Sequence, residues 1–391
     1  MDFDFSPEQK EIAHQAQRLL AERCDLRAVR RVLDQDLGWD GPLWRQAAGL
    51  GWPGTAIPEA YGGLGLGGET LAVIAEALGR ALAPLPFAAS IYLAAPCVLH
   101  AGSEADRRAW LPALAAGERI ATLAAAEGLV GIAEFARHRT CVRAGRLSGV
   151  KLPVPDGLLA HWAVVSAHDE AGVFGLWVVD LAAPGVTKTA LASLDATRPL
   201  ARIAFDGAPA QRLGDGGDAA PALRRVLDEA AVWIAFEQVG LADAALALSV
   251  EYAKLRHAFG RPIGSFQGIK HKLADMYVRN QLARANACCG AWALGAAEGE
   301  LPLAAAAARI AACDAAEFAA KETIQTHGGI GATWEADPQL FYRRARWLQG
   351  LLDAPAVWRE RLVGALAATA PGEPRAAGAL QPVPNPLPSL T

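Results

Sequence analysis

Hydrophobic and polar residues follow helical spacing through the first third of the chain. At Ser6 to Gln9, a serine N-cap, a proline at the first helical position and a glutamine at the third predict the start of a helix. Apolar residues then recur on one face as far as Leu20. Similar patterns cover residues 41–50, 69–82 and 104–114. Residues 1–118 are therefore predicted to form a helical domain.

The pattern changes near residue 120, where short runs rich in β-branched and aromatic residues replace the helical spacing. Two such runs flank Ala144-Gly145-Arg146 and predict a hairpin over residues 140–150. Further β-rich runs lie at residues 162–165, 176–179, 186–189 and 201–205. Because Gly, Pro and Asp separate these runs, residues 119–217 are predicted to form a small β-barrel or β-sandwich.

Long helical patterns return from Pro221 onward. The first runs to about residue 261, and others cover residues 265–299, 302–328 and 338–355. Four helices joined by short links predict an antiparallel four-helix bundle over residues 218–368. The tail, residues 369–391, is rich in proline and alanine and is predicted to be disordered. This α–β–α order indicates the α+β class and excludes a Rossmann fold, in which strands and helices alternate throughout.

Composition narrows the classes of function. The 391 residues are 52% apolar and carry a net charge of −4, so a nucleic-acid-binding surface is not expected. The acidic N-terminus is unlike a targeting peptide, and the most apolar tract, residues 303–308, is far shorter than the ~20 residues that span a bilayer. We therefore expect a cytoplasmic protein with no membrane segment. The six cysteines lack regular spacing, which is typical of reduced core thiols, and no metal site is expected.

Two motifs in the C-terminal half carry more specific information. The first, from Tyr252 to Gln267, reads Y-A-K-L-R-H-A-F-G-R-P-I-G-S-F-Q and places a tight turn at Gly260 between two helices. The second, from Gln325 to Gly331, reads Q-T-H-G-G-I-G, and its glycines would let a ligand approach the backbone closely. Taken singly, the first motif could be an ordinary corner with a solvated Arg256, and the second a glycine-rich helix C-cap.

Taken together, the two motifs resemble the acyl-CoA dehydrogenase family. The family pattern continues to L-A-D-M at Met276, and supporting similarity lies in residues 57–65 and 76–84. The resemblance covers almost the whole chain except the tail, and is nearest to members that act on bulky acyl-CoAs, some of them heteromeric. It implies an N-terminal helical domain, a middle β domain and a C-terminal four-helix bundle, in the order predicted above.

The resemblance also implies a cofactor and a set of partners. FAD would bridge two subunits of a homo- or hetero-oligomer, so a dimer is the minimum functional unit and a tetramer is usual. Arg256 would contact the FAD pyrophosphate of the neighbouring subunit, and Phe259 would pack near the adenosine half. The substrate would be an acyl-CoA, and the electron acceptor would be similar to an electron-transfer flavoprotein. The remaining contacts at this end of FAD would come from Gln267, Gln325, Gly328 and Gly329.

The middle domain differs from the family at positions that usually contact flavin and acyl-CoA. Where the family has T-E-P-G-x-G-S-D, the segment from Ala126 to Ala133 reads A-E-G-L-V-G-I-A and lacks both hydroxyls. Where the family has K-x-W-I-T-N, the segment from Lys151 to Asp156 reads K-L-P-V-P-D. Two prolines thus replace the aromatic residue and the threonine, and they also remove two backbone donors.

The catalytic base differs as well. The family removes the α-proton of the acyl-CoA with a glutamate while the β-hydrogen leaves as hydride to flavin N5. The place of that glutamate falls on Leu352 or, for members that carry it in the long helix, on Ala230. The candidate bases are therefore Asp353 and Glu237. Asp353 would need a local irregularity, because one residue along a helix turns a side chain by about 100°. Glu237 lies in an apolar run and could instead form a structural ion pair with a neighbouring arginine.

Three functions are compatible with these features. The first is an FAD-dependent acyl-CoA dehydrogenase that desaturates an acyl-CoA thioester, alone or as one subunit of a heteromer, in fatty-acid or steroid side-chain degradation. The second is a non-catalytic partner subunit that donates the pyrophosphate-binding corner to a catalytic subunit. The third is a flavin oxidase or monooxygenase on the same fold. The second function predicts an asymmetric site. The sequence keeps the pyrophosphate-binding residues, such as Arg256 and Phe259, but lacks the usual flavin-ring contacts and the base at its usual places.

Overall fold

The structure is a computed structural model that describes residues 5–296 and 299–369. Apart from Thr369, which ends the last helix, the tail predicted to be disordered lies outside the described residues. The predicted order of a helical, a β and a second helical domain is confirmed.

The N-terminal region is helical, as predicted. Ser6 and Gln9 form the expected capping box, in which each side chain accepts the backbone N–H of the other residue. The pattern did not predict residues 88–101, which form a π-helix (Ala88–Ala94) followed by α5, because this segment is apolar on all sides and almost entirely buried. The helices are α1 (Pro7–Arg23), α2 (Leu26–Asp34), α3 (Gly41–Gly49), α4 (Gly67–Arg80), α5 (Ala95–Ala101) and α6 (Glu104–Ala115).

The middle region is an eight-stranded sheet. Its strands are β1 (Ala121–Ala124), β2 (Cys141–Arg143), β3 (Arg146–Pro155), β4 (Trp162–His168), β5 (Phe174–Asp180), β6 (Val186–Leu191), β7 (Leu200–Pro209) and β8 (Gln211–Arg212). They lie in the order β6-β7-β3-β2-β4-β5-β8, and β1 pairs with β4. Arg143 pairs with Arg146 across the turn between β2 and β3, so the predicted hairpin is present.

The C-terminal region contains α7 (Ala220–Leu255), α8 (Gln267–Gly295), α9 (Glu300–His327), α10 (Pro338–Gly350) and α11 (Pro355–Thr369). The first helix ends six residues earlier than the predicted 261, because a short hairpin of β9 (His257–Ala258) and β10 (Arg261–Pro262) follows it. The fourth predicted helix, expected to run to residue 355, ends at Gly350, and residues 351–354 link it to a further helix, α11.

Helix α7 forms the centre of the molecule and packs against α4, α8 and α9. A Cβ on Gly79 would lie 1.9 Å from the carbonyl oxygen of Glu237, so the backbones of α4 and α7 are in direct contact only because this residue is glycine. By length and composition α7 could cross a membrane, but 72% of its most apolar window is buried inside the fold. That burial is typical of a core helix.

Candidate functional site

A sharp corner between α7 and α8 carries the first motif. Arg256 has extended backbone angles and ends the helix. Ala258 then pairs with Arg261, so Phe259 and Gly260 form a two-residue hairpin turn with φ angles of 51° and 78°. Two consecutive positive φ values are characteristic of the tight turn that matches the twist of a hairpin. The turn projects from the end of the bundle.

Arg256 and Phe259 are both exposed at this corner. The ring of Phe259 is 95% exposed and meets the ring of Phe266 edge-on, with 6.2 Å between centroids. Among the described residues, no group forms a hydrogen bond or an ion pair with the Arg256 guanidinium. An exposed aromatic ring at positive φ and an unpaired guanidinium do little for the stability of this chain. They are suited to contacts with a ligand or another subunit.

The glycine-rich motif lies at the same end of the bundle. The rings of Tyr252 and His327 stack with 4.1 Å between centroids, which brings the C-terminal ends of α7 and α9 together. Gly328 has a φ of 68°, and a Cβ added to Gly328 or Gly329 would meet no atom within 4 Å. The backbone of this turn is therefore open to close approach by a ligand.

The structure thus brings all six predicted cofactor-binding residues to one end of the bundle. Gln267 is the first residue of α8, Gln325 lies in the last turn of α9, and both are exposed. A planar cation, two side-chain amides and an open glycine backbone form a donor set that fits a pyrophosphate. These residues are Arg256, Phe259, Gln267, Gln325, Gly328 and Gly329.

A cavity of about 700 Å³ lies where the β domain meets the C-terminal helices. Its walls come from the turn 125–134, from β3, from residues 192–194 and from the segment around residues 350–357. The four positions at which the sequence lacks the usual polar or aromatic residues all line this cavity: Ala126, Ile132, Pro153 and Pro155. The unusual positions of the middle domain are therefore concentrated at one site.

Residues 351–354, which link α10 to α11, also contribute to the cavity. Asp353 has a φ of 60°, and its carboxylate accepts the N–H groups of Ile132 and Ala133 at 2.8 and 3.1 Å. Leu351 and Asp353 line the cavity, whereas Leu352 is 1% exposed and is not among the lining residues. The local irregularity that Asp353 needs in order to reach the site is present.

The sequence matches two family models, the acyl-CoA dehydrogenase N-terminal domain over residues 6–118 and the acyl-CoA dehydrogenase C-terminal domain over residues 220–351. The chain belongs to the acyl-CoA dehydrogenase family. It is 33% identical to the acyl-CoA dehydrogenase IpdE2 of Mycobacterium tuberculosis, over 91% of this chain and 96% of that protein.

Two solved structures show the same architecture. A variant of the Tcur3481–Tcur3483 steroid ACAD is 30% identical, with a TM-score of 0.82 over 93% of this chain and 99% of that chain. The butyryl-CoA dehydrogenase of Megasphaera elsdenii is 25% identical, with a TM-score of 0.85 over 94% of this chain and 100% of that chain. The acyl-CoA dehydrogenase fold therefore extends over nearly all of the chain.

Both places where acyl-CoA dehydrogenases usually carry their glutamate hold apolar residues here. Leu352 is buried outside the cavity, and Ala230 is fully buried within α7. The neighbouring Glu229 is engaged elsewhere, because its carboxylate lies 2.8 Å from His100 Nε2 and accepts the Arg225 Nε–H at 3.0 Å. Glu229 borders a separate cavity of about 150 Å³. The long helix therefore offers no carboxylate to the larger cavity.

The two candidate bases lie in different environments. Glu237 is 2% exposed and is not among the residues that line the larger cavity, whereas Asp353 is. One Glu237 oxygen accepts the Tyr92 hydroxyl at 3.2 Å, and the other has no hydrogen-bond partner among the described residues. Burial raises the pKa of Glu237, although the charges of Arg198 and Arg344 oppose the shift. The geometry therefore favours Asp353 over Glu237 as a group that could contact a ligand.

A buried ion pair behind the cavity wall was not singled out in the sequence. Lys151 Nζ donates to Glu127 at 2.8 Å, to the Ala125 carbonyl at 3.0 Å and to the Ser166 hydroxyl at 3.0 Å. Burial opposes the shift, but the hydrogen bond and charge of Lys151 lower the pKa of Glu127 to about 2. Burial lowers the pKa of Lys151 to about 8, so both groups are charged at neutral pH. One sequence feature could have revealed the pair. Glu127 and Lys151 both match the family motifs, although the residues beside them do not.

Proposed function

We propose that this chain is the partner subunit of a heteromeric acyl-CoA dehydrogenase. Its bundle corner holds the pyrophosphate half of FAD, while a second, catalytic subunit provides the flavin-ring pocket and the base. FAD, when bound, would accept the β-hydrogen of the acyl-CoA as hydride. The observation that carries the proposal is the contrast between the two halves of the site in this chain. The corner is complete and exposed, whereas the cavity has lost its usual polar contacts.

The corner supports the proposal because Arg256 and Phe259 form few contacts with the described residues of their own chain. The Arg256 guanidinium has no partner among the described residues, and Phe259 extends almost completely into solvent. A permanently charged planar fork can bind phosphate oxygens with paired hydrogen bonds. Since the β domain of the same chain lies at a different part of the molecule, the flavin ring of such a cofactor would rest against another subunit.

The cavity supports the proposal because it offers little to an isoalloxazine ring. Ala126 and Ile132 carry no hydroxyl, and Pro153 and Pro155 have no backbone N–H. Each lost hydrogen bond costs about 1 kcal/mol. Since about 1.4 kcal/mol is a factor of ten in affinity, several such losses would reduce FAD binding to a homomer by orders of magnitude.

The proposed substrate of the complex is a bulky acyl-CoA, such as one with a steroid side chain. The Tcur3481–Tcur3483 steroid ACAD, which is named for two components, is 30% identical to this chain. We further propose an acceptor similar to an electron-transfer flavoprotein and a location in the cytoplasm. The substrate, acceptor and location are proposed for the complex as a whole. Screening the complex against a set of acyl-CoAs would identify the acyl chain.

A second candidate function is a homomeric dehydrogenase that uses Asp353 as its base. The observation that favours it is that Asp353 lines the cavity and is held by two backbone donors. The two functions differ in what the purified chain does by itself. We expect the chain alone to show no turnover with steroid-derived and straight-chain acyl-CoAs, and turnover to appear when a second dehydrogenase subunit is added. Turnover by the homomer would favour the second candidate.

A further inference from the structure

The carboxylate of Asp353 joins two domains across the wall of the cavity. One oxygen accepts the N–H of Ile132 and the other accepts the N–H of Ala133, both on a turn of the β domain, while Asp353 itself lies between α10 and α11. We infer that Asp353 is a positioning residue, a clasp that fixes the turn 131–133 against the link 351–354, and does not serve as a proton acceptor. This role goes beyond the proposed function, because it does not depend on which subunit carries the base.

The backbone on both sides is arranged to permit this contact. A Cβ on Gly131 would lie 2.5 Å from Asp353 Oδ1, so any larger residue at this position would displace the carboxylate. Asp353 adopts a φ of 60°, a region that costs free energy for most residues and that Asp and Asn tolerate better. A glycine on the turn and an aspartate at positive φ on the link indicate that the sequence is adapted to the clasp.

Residues of the helical bundle fix the link 351–354 in place through hydrogen bonds. The buried Arg309 guanidinium donates to the carbonyl oxygens of Leu348 and Gln349 at 2.7 and 3.0 Å, which fixes the end of α10. The indole N–H of Trp358 donates to the carbonyl oxygen of Leu352. The link therefore has little freedom to move away from the β domain.

Residues of the β domain fix the turn 131–133 in place through hydrogen bonds. His138 Nε2 lies 3.0 Å from the Gly131 carbonyl oxygen, and the N–H of Gly131 donates to the Glu134 carboxylate at 2.9 Å. His138 in turn contacts Ser166, a partner of Lys151. Two supported segments thus meet at the Asp353 carboxylate. Each of its oxygens accepts a backbone N–H of the turn 131–133. The carboxylate therefore connects this turn to the link 351–354.

Four variants of the full chain test this inference by hydrogen exchange, thermal unfolding and flavin reduction in the reconstituted complex. Asp353→Ala removes both acceptors, Asp353→Gly removes them while tolerating the positive φ, and Asp353→Asn keeps one acceptor oxygen and tolerates the same φ. Glu360→Gln is the matched control, because this exposed acid on α11 forms no hydrogen bond or ion pair among the described residues.

We expect at least tenfold faster exchange at the Ile132 and Ala133 amides in the alanine and glycine variants, with a lower Tm. Asparagine should restore protection of one of these amides, and its complex should reduce flavin at the wild-type rate. Unchanged exchange in the alanine and glycine variants would overturn the clasp. An asparagine variant with normal protection but no flavin reduction would overturn it as well, and would identify Asp353 as the base. Both results are separate from the FAD content of the homomer, which tests the proposed function.

Discussion

Arg256 is the single residue on which the cofactor-binding role of the corner depends most directly. It ends α7 with a guanidinium that pairs with none of the described residues, next to a hairpin turn that exposes Phe259. Glu237, in contrast, is a buried acid enclosed by its own fold. Arg256 is accessible to another molecule and Glu237 is not. A separate prediction follows for each of the two residues.

Replacing Arg256 with alanine should weaken FAD binding to the assembled complex by about 2–5 kcal/mol, the range for removing one partner of a desolvated charge pair. Fluorescence titration of the apo-complex with FAD measures the loss. The control is Lys254→Ala, which removes an exposed cation two residues earlier whose partner is Glu251. Equal FAD affinity in the Arg256 variant and the control would exclude Arg256 from the site.

Replacing Glu237 with glutamine should remove a pH-dependent loss of stability. Because the pKa of the folded-state carboxyl is raised, the folded protein keeps a proton that the unfolded chain releases above the ordinary value of 4.5. The free energy of unfolding therefore falls as the pH rises through the window that begins near that value. Glutamine can still accept the Tyr92 hydroxyl, so the variant should be more stable than the wild type at the upper end of this window.

Thermal unfolding at a series of pH values measures this effect, with Glu360→Gln as the exposed control. A pH profile of the Glu237 variant parallel to that of the wild type would mean that this carboxyl is already ionised in the folded protein. Loss of flavin reduction in the variant, with folding and FAD content unchanged, would return Glu237 to the list of candidate bases.

At the scale of elements, the Lys151–Glu127 ion pair connects β3 to the turn 125–134. Lys151→Met should destabilise the protein by about 3–5 kcal/mol, because it leaves a largely buried carboxylate without its cation. Glu127 has a folded-state pKa of about 2, so its contribution is complete above the ordinary value of 4.5 and is lost as the pH falls through the folded value. Denaturant unfolding at neutral and acidic pH measures both effects.

The matched control for this pair is Lys188→Met, since Lys188 lies on the exposed strand β6 and its charge has no carboxylate partner among the described residues. A smaller loss for Lys151→Met than for this control would contradict the structural role of the pair. The double variant Lys151→Met/Glu127→Gln should recover part of the stability, because it removes the unpaired charge while the amide oxygen can still accept the Thr140 N–H and hydroxyl.

The same scale shows what the sequence could predict. Elements with one apolar face, such as α1 and the β2–β3 hairpin, follow directly from periodicity and turn residues. The segment 88–101 is apolar on all sides, so no periodicity distinguishes its helices. The corner residues were predicted because they belong to a motif. The orientation of Asp353 was not, because it depends on one positive φ value and on a partner turn more than 200 positions away.

For the whole molecule, the cavity and the corner are formed by different residues in different parts of the fold. The cavity lies inside the chain at the junction of the β domain and the bundle, whereas the corner is exposed at the end of the bundle. The domain limits at residues 118, 217 and 368 and the cytoplasmic location stay predictions. The proposed function requires a second chain that contacts the corner.

The surface of α8 supplies a test of assembly. Tyr277, Val278 and Leu282 are 55%, 53% and 60% exposed on this helix, and adjacent apolar side chains of this size often mark an interface. Leu282→Asp should shift the oligomer to smaller species in light scattering, without a change in helical circular dichroism. Leu37→Asp, at an exposed leucine of the N-terminal region, is the control and should assemble normally. Assembly of the Leu282 variant at wild-type size would place the interface elsewhere.

The central claim is that this chain holds only the pyrophosphate half of FAD. The FAD content per protomer tests it most directly, measured from flavin absorbance and protein concentration for the purified chain alone and for its complex with a second dehydrogenase subunit. The account predicts little or no FAD and no acyl-CoA turnover for the chain alone. In the complex it predicts bound FAD that is lost when Arg256 of this chain is alanine. One tightly bound FAD per protomer in a homomer that oxidises acyl-CoA would contradict the account.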